Sequence, residues 1–328
     1  MATSAEFILR DQLADRRRRL QAAIPASTQP AALVALLHDV DSALGRLETG
    51  TYGRCEACDE PIEADRLGAD PLVRFCLSDL TPGEQRALER DLEMAAHIQR
   101  SLLPRPDHVV AGWEIHYRYE PVGPVSGDYC DVVVPETGDA PVFFALGDIS
   151  GKGVSASLLM THLQAILRSL LATQASIDGL VESANRLFSE STLPAHYATL
   201  VCGRAASSGE IELCNAGHWP ALVRRAGEVR AVGATGLPLG LFSNGSFTAQ
   251  TLRLEPGDVL LLYTDGLSEA LDGAGAEYGL ERARAVLRHC GALSASGVVA
   301  ACLDDLGVFR QGAVRRDDLA VMAIRRVG

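Results

Sequence analysis

Four acidic motifs from residue 126 onward carry side chains that could do chemistry. They are Ser126-Gly127-Asp128, Gly147-Asp148-Ile149-Ser150-Gly151-Lys152-Gly153, Thr264-Asp265-Gly266 and Arg316-Asp317-Asp318. Asp148 and Asp265 each close an apolar run, 142–146 and 259–263, while Asp317 and Asp318 open another. A single Asp-Gly reads equally well as a turn. Several aspartates at strand ends can instead converge on one cleft, where carboxylates repel unless cations neutralise them. Oxygen-only ligands suit Mg2+ or Mn2+. Rival motifs are missing. Gly147–Gly153 lacks the first glycine and the Ser/Thr of a P-loop, and there is no His-Glu-x-x-His. No Gly-x-Ser-x-Gly nucleophile elbow precedes a helix.

A second chemical set lies near the start. Cys55-Glu-Ala-Cys58 places two thiols a turn apart, and Cys76 can close a metal site from a second turn. The fourth position of a zinc site falls on Asp79, in Cys76-Leu-Ser-Asp79. Carboxylate is a permitted zinc ligand. A site of this kind binds Zn2+ more weakly than four cysteines, and a metal-free module is the alternative. Cys130, Cys202, Cys214, Cys290 and Cys302 sit in apolar runs and read as core.

The elements that position these residues follow from composition and periodicity. At 328 residues, about two domains are expected. With 47% hydrophobic and 22% charged residues, the chain is not a disordered one. A net charge of −12 excludes nucleic-acid binding through bulk charge. No apolar run approaches the ~20 residues of a spanning helix, and residues 1–10 lack an export signal. The expectation is a cytoplasmic protein with no membrane partner.

Residues 6–24 and 31–48 read as helices of an antiparallel hairpin. Arg16–Arg19 form a solvated face or a contact for an acidic partner. Thr81-Pro82-Gly83-Glu84 starts a helix that runs to 103. That helix is amphipathic and could pair with a second copy of itself, although no strict heptad holds. Strands are expected near 113–119, 129–134, 141–146, 197–204, 211–215, 221–225, 247–254, 259–264 and 319–325. Helices are expected at 155–172, 177–192, 277–290 and 295–307. Strands in runs and helices in pairs argue an α+β fold with antiparallel sheet. The expected domains are 1–83, a linker helix at 84–104, and 105–328.

Two resemblances add to this reading. The hairpin, Gly50-Thr-Tyr-Gly-Arg-Cys55-Glu-Ala-Cys58-Asp-Glu-Pro-Ile62, Arg66-Leu67 and Cys76 resemble DksA/TraR-type zinc-finger proteins over residues 6–80. Asp79 departs from the last cysteine of that pattern, and the hairpin turn at 25–30 lacks the acidic tip with which such proteins reach RNA polymerase.

Residues 90–328 resemble the SpoIIE/RsbU branch of the PPM-type (protein phosphatase 2C-like) serine/threonine phosphatases. The resemblance rests on Ile98-Gln-Arg-Ser-Leu-Leu-Pro104, Val125–Asp131, Gly147–Gly153, Asn215-Ala-Gly-His218, Gly236-Leu-Pro-Leu-Gly240, Thr264–Ala270 and Asp317–Val321. It implies an αββα sandwich with two Mn2+ or Mg2+ ions held between the sheets. Asp148 would bridge both ions, Asp265 and Asp317 would complete one site, and Asp128 with the Ile149 carbonyl would hold the other. Asp318 would lie beside them. Water activated by the two ions would attack the phosphorus in line. Lys152, Arg118, Asn215 and His218 are candidate substrate contacts, each with a plain structural alternative.

The implied substrate is a phosphorylated STAS-type anti-anti-sigma protein. The alternative is a regulator that acts by binding RNA polymerase or another partner through the N-terminal module. Dimerisation through the linker helix is expected to shift the 154–171 helix and so affect metal binding.

Overall fold

A computed structural model describes residues 4–26, 30–63, 66–67, 70–76, 82–135, 140–192 and 196–328. The chain divides into two compact units, the first ending at Met94 and the second beginning at Ala95.

In the first unit, α1 (Ser4–Ala23) and α2 (Pro30–Thr49) form the hairpin. Leu13, Leu20, Leu33, Val40 and Ala43 are its buried seam. Arg17 pairs with Asp41 across the hairpin at 2.8 Å, and Arg18 and Arg19 pair with Asp15. Three of the four arginines of the 16–19 run are therefore answered within the hairpin itself. The cysteine segment docks on it through Arg46, which donates to the Val73 carbonyl at 3.1 Å, and through Tyr52, whose hydroxyl donates to the Pro71 carbonyl at 2.9 Å. Helix α3 (Pro82–Leu102) crosses from the first unit into the second.

The second unit contains two antiparallel sheets. One has six strands in the order β1-β2-β11-β10-β7-β8. These are Asp107–Val110, Trp113–Glu120, Leu319–Arg326, Val259–Tyr263, Ala221–Arg225 and Glu228–Val232 in that order. The other has five, β3-β4-β5-β6-β9, at Asp128–Val133, Val142–Ile149, Ala198–Ala205, Glu210–Ala216 and Gln250–Arg253. Period-2 alternation sends Phe144 and Leu146 of β4 into a shared core with Trp113, Ile115, Leu260, Met322 and Ile324. Its other face, Phe143 and Ala145, meets the buried sides of α4 (Gly153–Leu171) and α5 (Ile177–Ser191).

On the first sheet, Leu261 and Val321 meet α7 (Gly279–His289) and α8 (Ala295–Arg310) through Leu287, Val298 and Cys302. The result is the expected αββα arrangement. With both faces of each sheet covered, the central strands read as continuous apolar runs. Helix α4 is long and apolar enough to cross a membrane by length and composition alone, and here its apolar face packs on β3, β4 and α5.

The structure corrects several element limits. β4 runs through Asp148 to Ile149, so Asp148 lies inside the strand. The expected 247–254 strand shrinks to Gln250–Arg253. Strands β1 and β8 and the short helix α6 (Asp265–Ser268) are additions. β1 and β8 are half-exposed edges whose sequences lack a strong apolar pattern.

Candidate metal centre and cleft

Asp128 opens β3, and the register sets it directly opposite Asp148 on β4. Like charges facing each other across a ladder repel. Asp128 is 1% exposed and accepts a hydrogen bond from Thr264 Oγ1 at 3.0 Å. Burial, then the nearby Asp148, push its carboxyl well above the usual carboxylate range. Asp148 is pushed up to about 8, first by burial, then by Asp265, Asp317 and Asp318. Asp265, at the start of α6, is pushed up to about 6 by burial and by Asp317. Its neighbour must be glycine. A Cβ on Gly266 would fall 1.8 Å from the Asp318 carbonyl oxygen, so only glycine lets α6 press against the start of β11.

Asp317 and Asp318 face different tasks. Asp317 Oδ2 lies 2.9 Å from Lys152 Nζ. Both oxygens of Asp318 accept backbone hydrogen bonds, from Val122 N at 2.7 Å and Gly127 N at 3.1 Å. Asp318 thus clamps the loop that leads into Asp128.

These residues fit divalent cations. Four carboxylates from the ends of both sheets gather here, and the Lys152 charge partly offsets Asp148 and Asp265. A Cβ built on Gly127 would meet the Ile149 carbonyl oxygen at 3.2 Å and Asp148 Oδ1 at 3.6 Å. The same point lies 3.2 Å from the Ala156 methyl, so the absence of a side chain lets this loop pass close to α4 and to both oxygens. Among the described residues, only Cys55, Cys58 and Cys76 bring three ligand atoms within 4.8 Å of one another.

A cleft of about 360 Å3 is lined by Asp148, Asp265, Tyr197, Thr199, His218 and Trp219. Tyr197, Thr199 and Trp219 were not singled out in the sequence, since nothing in their spacing ties them to the acidic motifs. His218 is buried, and burial lowers its pKa to about 4, so the ring is neutral. Its Nε2 donates to the Tyr263 carbonyl at 3.0 Å, which leaves Nδ1 to accept from Thr199 Oγ1 at 2.8 Å. Asn215 accepts from His218 N and donates to the Trp219 carbonyl.

Each of the expected substrate contacts has a partner within the protein. Asn215 and His218 hold the cleft wall through these bonds. Lys152 is held by Asp317. Arg118 points to Glu120 at 2.8 Å.

Two further contacts hold the ligand carriers. The Gln99 side chain donates to the Ser126 carbonyl at 2.7 Å and accepts from Ser126 N at 3.0 Å, which pins the last turns of α3 to the Asp128 loop. Arg168 of α4 makes a two-pronged bond to buried Asp131 at 2.7 and 2.6 Å, tying α4 to β3.

In the first unit, Cys58 Sγ lies 3.5 Å from Cys76 Sγ, with Cys55 and Cys76 buried and Cys58 exposed. The Cys55–Glu60 turn closes through Cys55 N to the Glu60 carbonyl at 2.8 Å and Asp59 N to the Cys55 carbonyl at 2.9 Å. Glu56 N reaches the Arg74 carbonyl at 2.9 Å and so brings the Cys76 arm alongside. Three thiolates in this geometry suit Zn2+. Asp79 lies outside the described residues.

Two stacked antiparallel sheets with helices outside and aspartates from both sheets at one end define the PP2C class of phosphatase fold. The chain belongs to the SpoIIE family: the model described as Stage II sporulation protein E matches residues 138–327, more than half of the chain. A second model, prokaryotic dksA/traR C4-type zinc finger, matches residues 50–78. The chain is similar to Protein IcfG of Synechocystis sp. (25% identical over 72% of this chain and 41% of the relative). It is also similar to the phosphoserine phosphatase RsbU of Bacillus subtilis (24% identical over 57% of this chain and 56% of the relative). It thus spans about half the length of these curated relatives. Among solved structures, the SiaA-PP2C domain of Pseudomonas aeruginosa superimposes with a TM-score of 0.63 at 20% identity, covering 74% of this chain and 98% of that one.

Proposed function

We propose that this chain is a Mn2+- or Mg2+-dependent protein phosphatase that hydrolyses phosphoserine or phosphothreonine. The observation that carries the reading is the facing pair Asp128 and Asp148, with Asp265 and Asp317 electrostatically coupled to it. Asp128, Asp148, Asp265, Asp317 and the Ile149 carbonyl would hold the cations. When bound, two such ions lower the pKa of water and neutralise charge on the phosphoryl oxygens. The protein's own groups do the rest. Thr264 orients Asp128, Asp318 fixes the 122–127 loop, and the Gln99 amide locks Ser126. Neutral His218 gives the cleft a wall without charge, so it neither competes for the cations nor traps phosphate.

The substrate we infer is a phosphorylated STAS-type anti-anti-sigma protein, on the strength of the RsbU-like sequence. Association of two chains through α3, a zinc-bound N-terminal module and a cytoplasmic location belong to the same proposal. The test is hydrolysis of p-nitrophenyl phosphate and of a phosphorylated STAS protein by the full chain. Both activities are expected to require Mn2+ or Mg2+ and to vanish in Asp148→Ala and Asp265→Ala. Metal-independent hydrolysis, or activity that survives both changes, would overturn the reading.

A further inference from the structure

The cleft reaches Asp265, and the next residue, Gly266, lines a second recess of about 90 Å3. Glu269, Arg310, Arg315, Arg316 and Asp317 also line it. Three arginines line this one recess of a chain of net charge −12. Two of the lining charges are already matched: Arg315 pairs with Glu120 at 2.6 Å and Asp317 with Lys152 at 2.9 Å. Arg310 donates to the Ala313 carbonyl at 2.7 Å and meets no carboxylate among the described residues. Arg316 is exposed, and its side chain has no hydrogen-bond or ion-pair partner among the described residues. Against these two arginines stands one unmatched carboxylate, Glu269. The recess is therefore short of negative charge, and it adjoins the candidate metal ligands: Gly266 follows Asp265, and Asp317 itself is part of the lining.

We propose that this recess receives an acidic side chain of the substrate protein, an Asp or Glu close in sequence to the phosphorylated residue, through Arg316 and Arg310. The inference rests on the phosphatase reading above and names what that reading leaves open, the sequence preference. A guanidinium recognises a carboxylate with a planar fork of donors, so the contact carries direction as well as charge. An extended segment advances about 3.3 Å per residue, so a side chain near the phosphate in sequence is the one in reach of a neighbouring recess. The pairing also suits an acidic enzyme. The metal-loaded cleft attracts the phosphate, and the arginines keep a flanking carboxylate from being repelled by the rest of the surface.

The experiment compares the Mn2+-loaded full chain on phosphoserine peptides that differ only in flanking Asp, Ala or Lys, with p-nitrophenyl phosphate alongside. The acidic peptide is expected to show kcat/KM about ten-fold above the Ala peptide, mostly through KM and shrinking with added salt. In Arg316→Glu that preference is expected to fall away or turn toward the Lys peptide, and Arg310→Glu to act in the same direction. Arg316→Gln, which keeps the size and loses the charge, should fall between. Wild type treating the Asp and Lys peptides alike, or Arg316→Glu and Arg310→Glu keeping the acidic preference, overturns the proposal. If wild type fails even on p-nitrophenyl phosphate, the phosphatase reading itself falls and takes this inference with it.

Discussion

Lys152 Nζ lies 2.9 Å from Asp317 Oδ2 and 3.0 Å from the Arg316 carbonyl oxygen. The chain's single lysine thus stands beside an aspartate placed to bind a cation. A divalent ion that uses this oxygen meets the repulsion of the lysine charge beside it. Lys152→Met is expected to bind Mn2+ about three- to ten-fold more tightly than wild type, since the competing charge is gone and a nearby repulsion with it. Titration calorimetry on the metal-free chain reads this directly. Equal or weaker binding would mean that the lysine does not compete for Asp317.

Asp148 has a folded pKa near 8 against an ordinary 3.8. A group with a raised folded pKa contributes stability that is full below its unfolded value and is lost as pH rises through the folded one. Metal-free protein is therefore expected to lose thermal stability between about pH 4 and pH 8. Asp148→Asn should flatten that loss and also abolish the rise in Tm on adding Mn2+. At Mn2+ about 100-fold above Kd, wild type should gain about 2.7 kcal/mol.

His218 has the opposite sign. Its folded pKa of about 4 lies below the ordinary 6.5, so its contribution is present above pH 6.5 and is lost as pH falls toward 4. Denaturant unfolding of wild type and His218→Gln at pH 7 and pH 4.5 should show the gap between them narrowing at the lower pH. A gap that widens would mean the ring is charged in the folded state.

Arg168 answers a carboxylate that is fully buried, Asp131, which also accepts from Tyr129. Arg168→Ala strands that charge. Because Arg168 itself is 43% exposed, the expected cost is about 2–3 kcal/mol, below that of a wholly buried pair. Asp131→Asn in the same background should recover part of it.

The cysteine module is open to direct assay. Zinc measured on the full chain after purification under reducing conditions is expected to be bound, and to be lost in Cys55→Ser and Cys58→Ser. Wild type without zinc would mark the three thiols as a metal-free cluster.

The sequence was most informative where a pattern repeats along the chain. The apolar runs at 142–146 and 259–263 marked β4 and β10, and the acidic residues after them were visible as candidate ligands. What spacing could not reveal was pairing. That Asp128 faces Asp148 depends on the β3–β4 register, and that Asp318 is spent on Val122 and Gly127 depends on a contact between residues far apart in the chain. The motif Asn215–His218 was recognisable, but the partners of its side chains were not, because burial forces each polar atom to find one wherever the fold supplies it. The Arg310–Arg316 recess was invisible for the same reason: its lining joins the end of α8, the turn before β11 and the start of α6.

The last strand, β11, is not at an edge. It pairs with β2 on one side and β10 on the other, and its first residue follows Asp317 and Asp318 directly. During synthesis, β2 and β10 are complete long before β11 emerges, and each must wait with an unpaired edge. A product broken off before residue 319 would have the cleft's walls but no seam to join them. The aspartate cleft is thus closed by the last strand of the chain, and its two halves are joined only once β11 is in place.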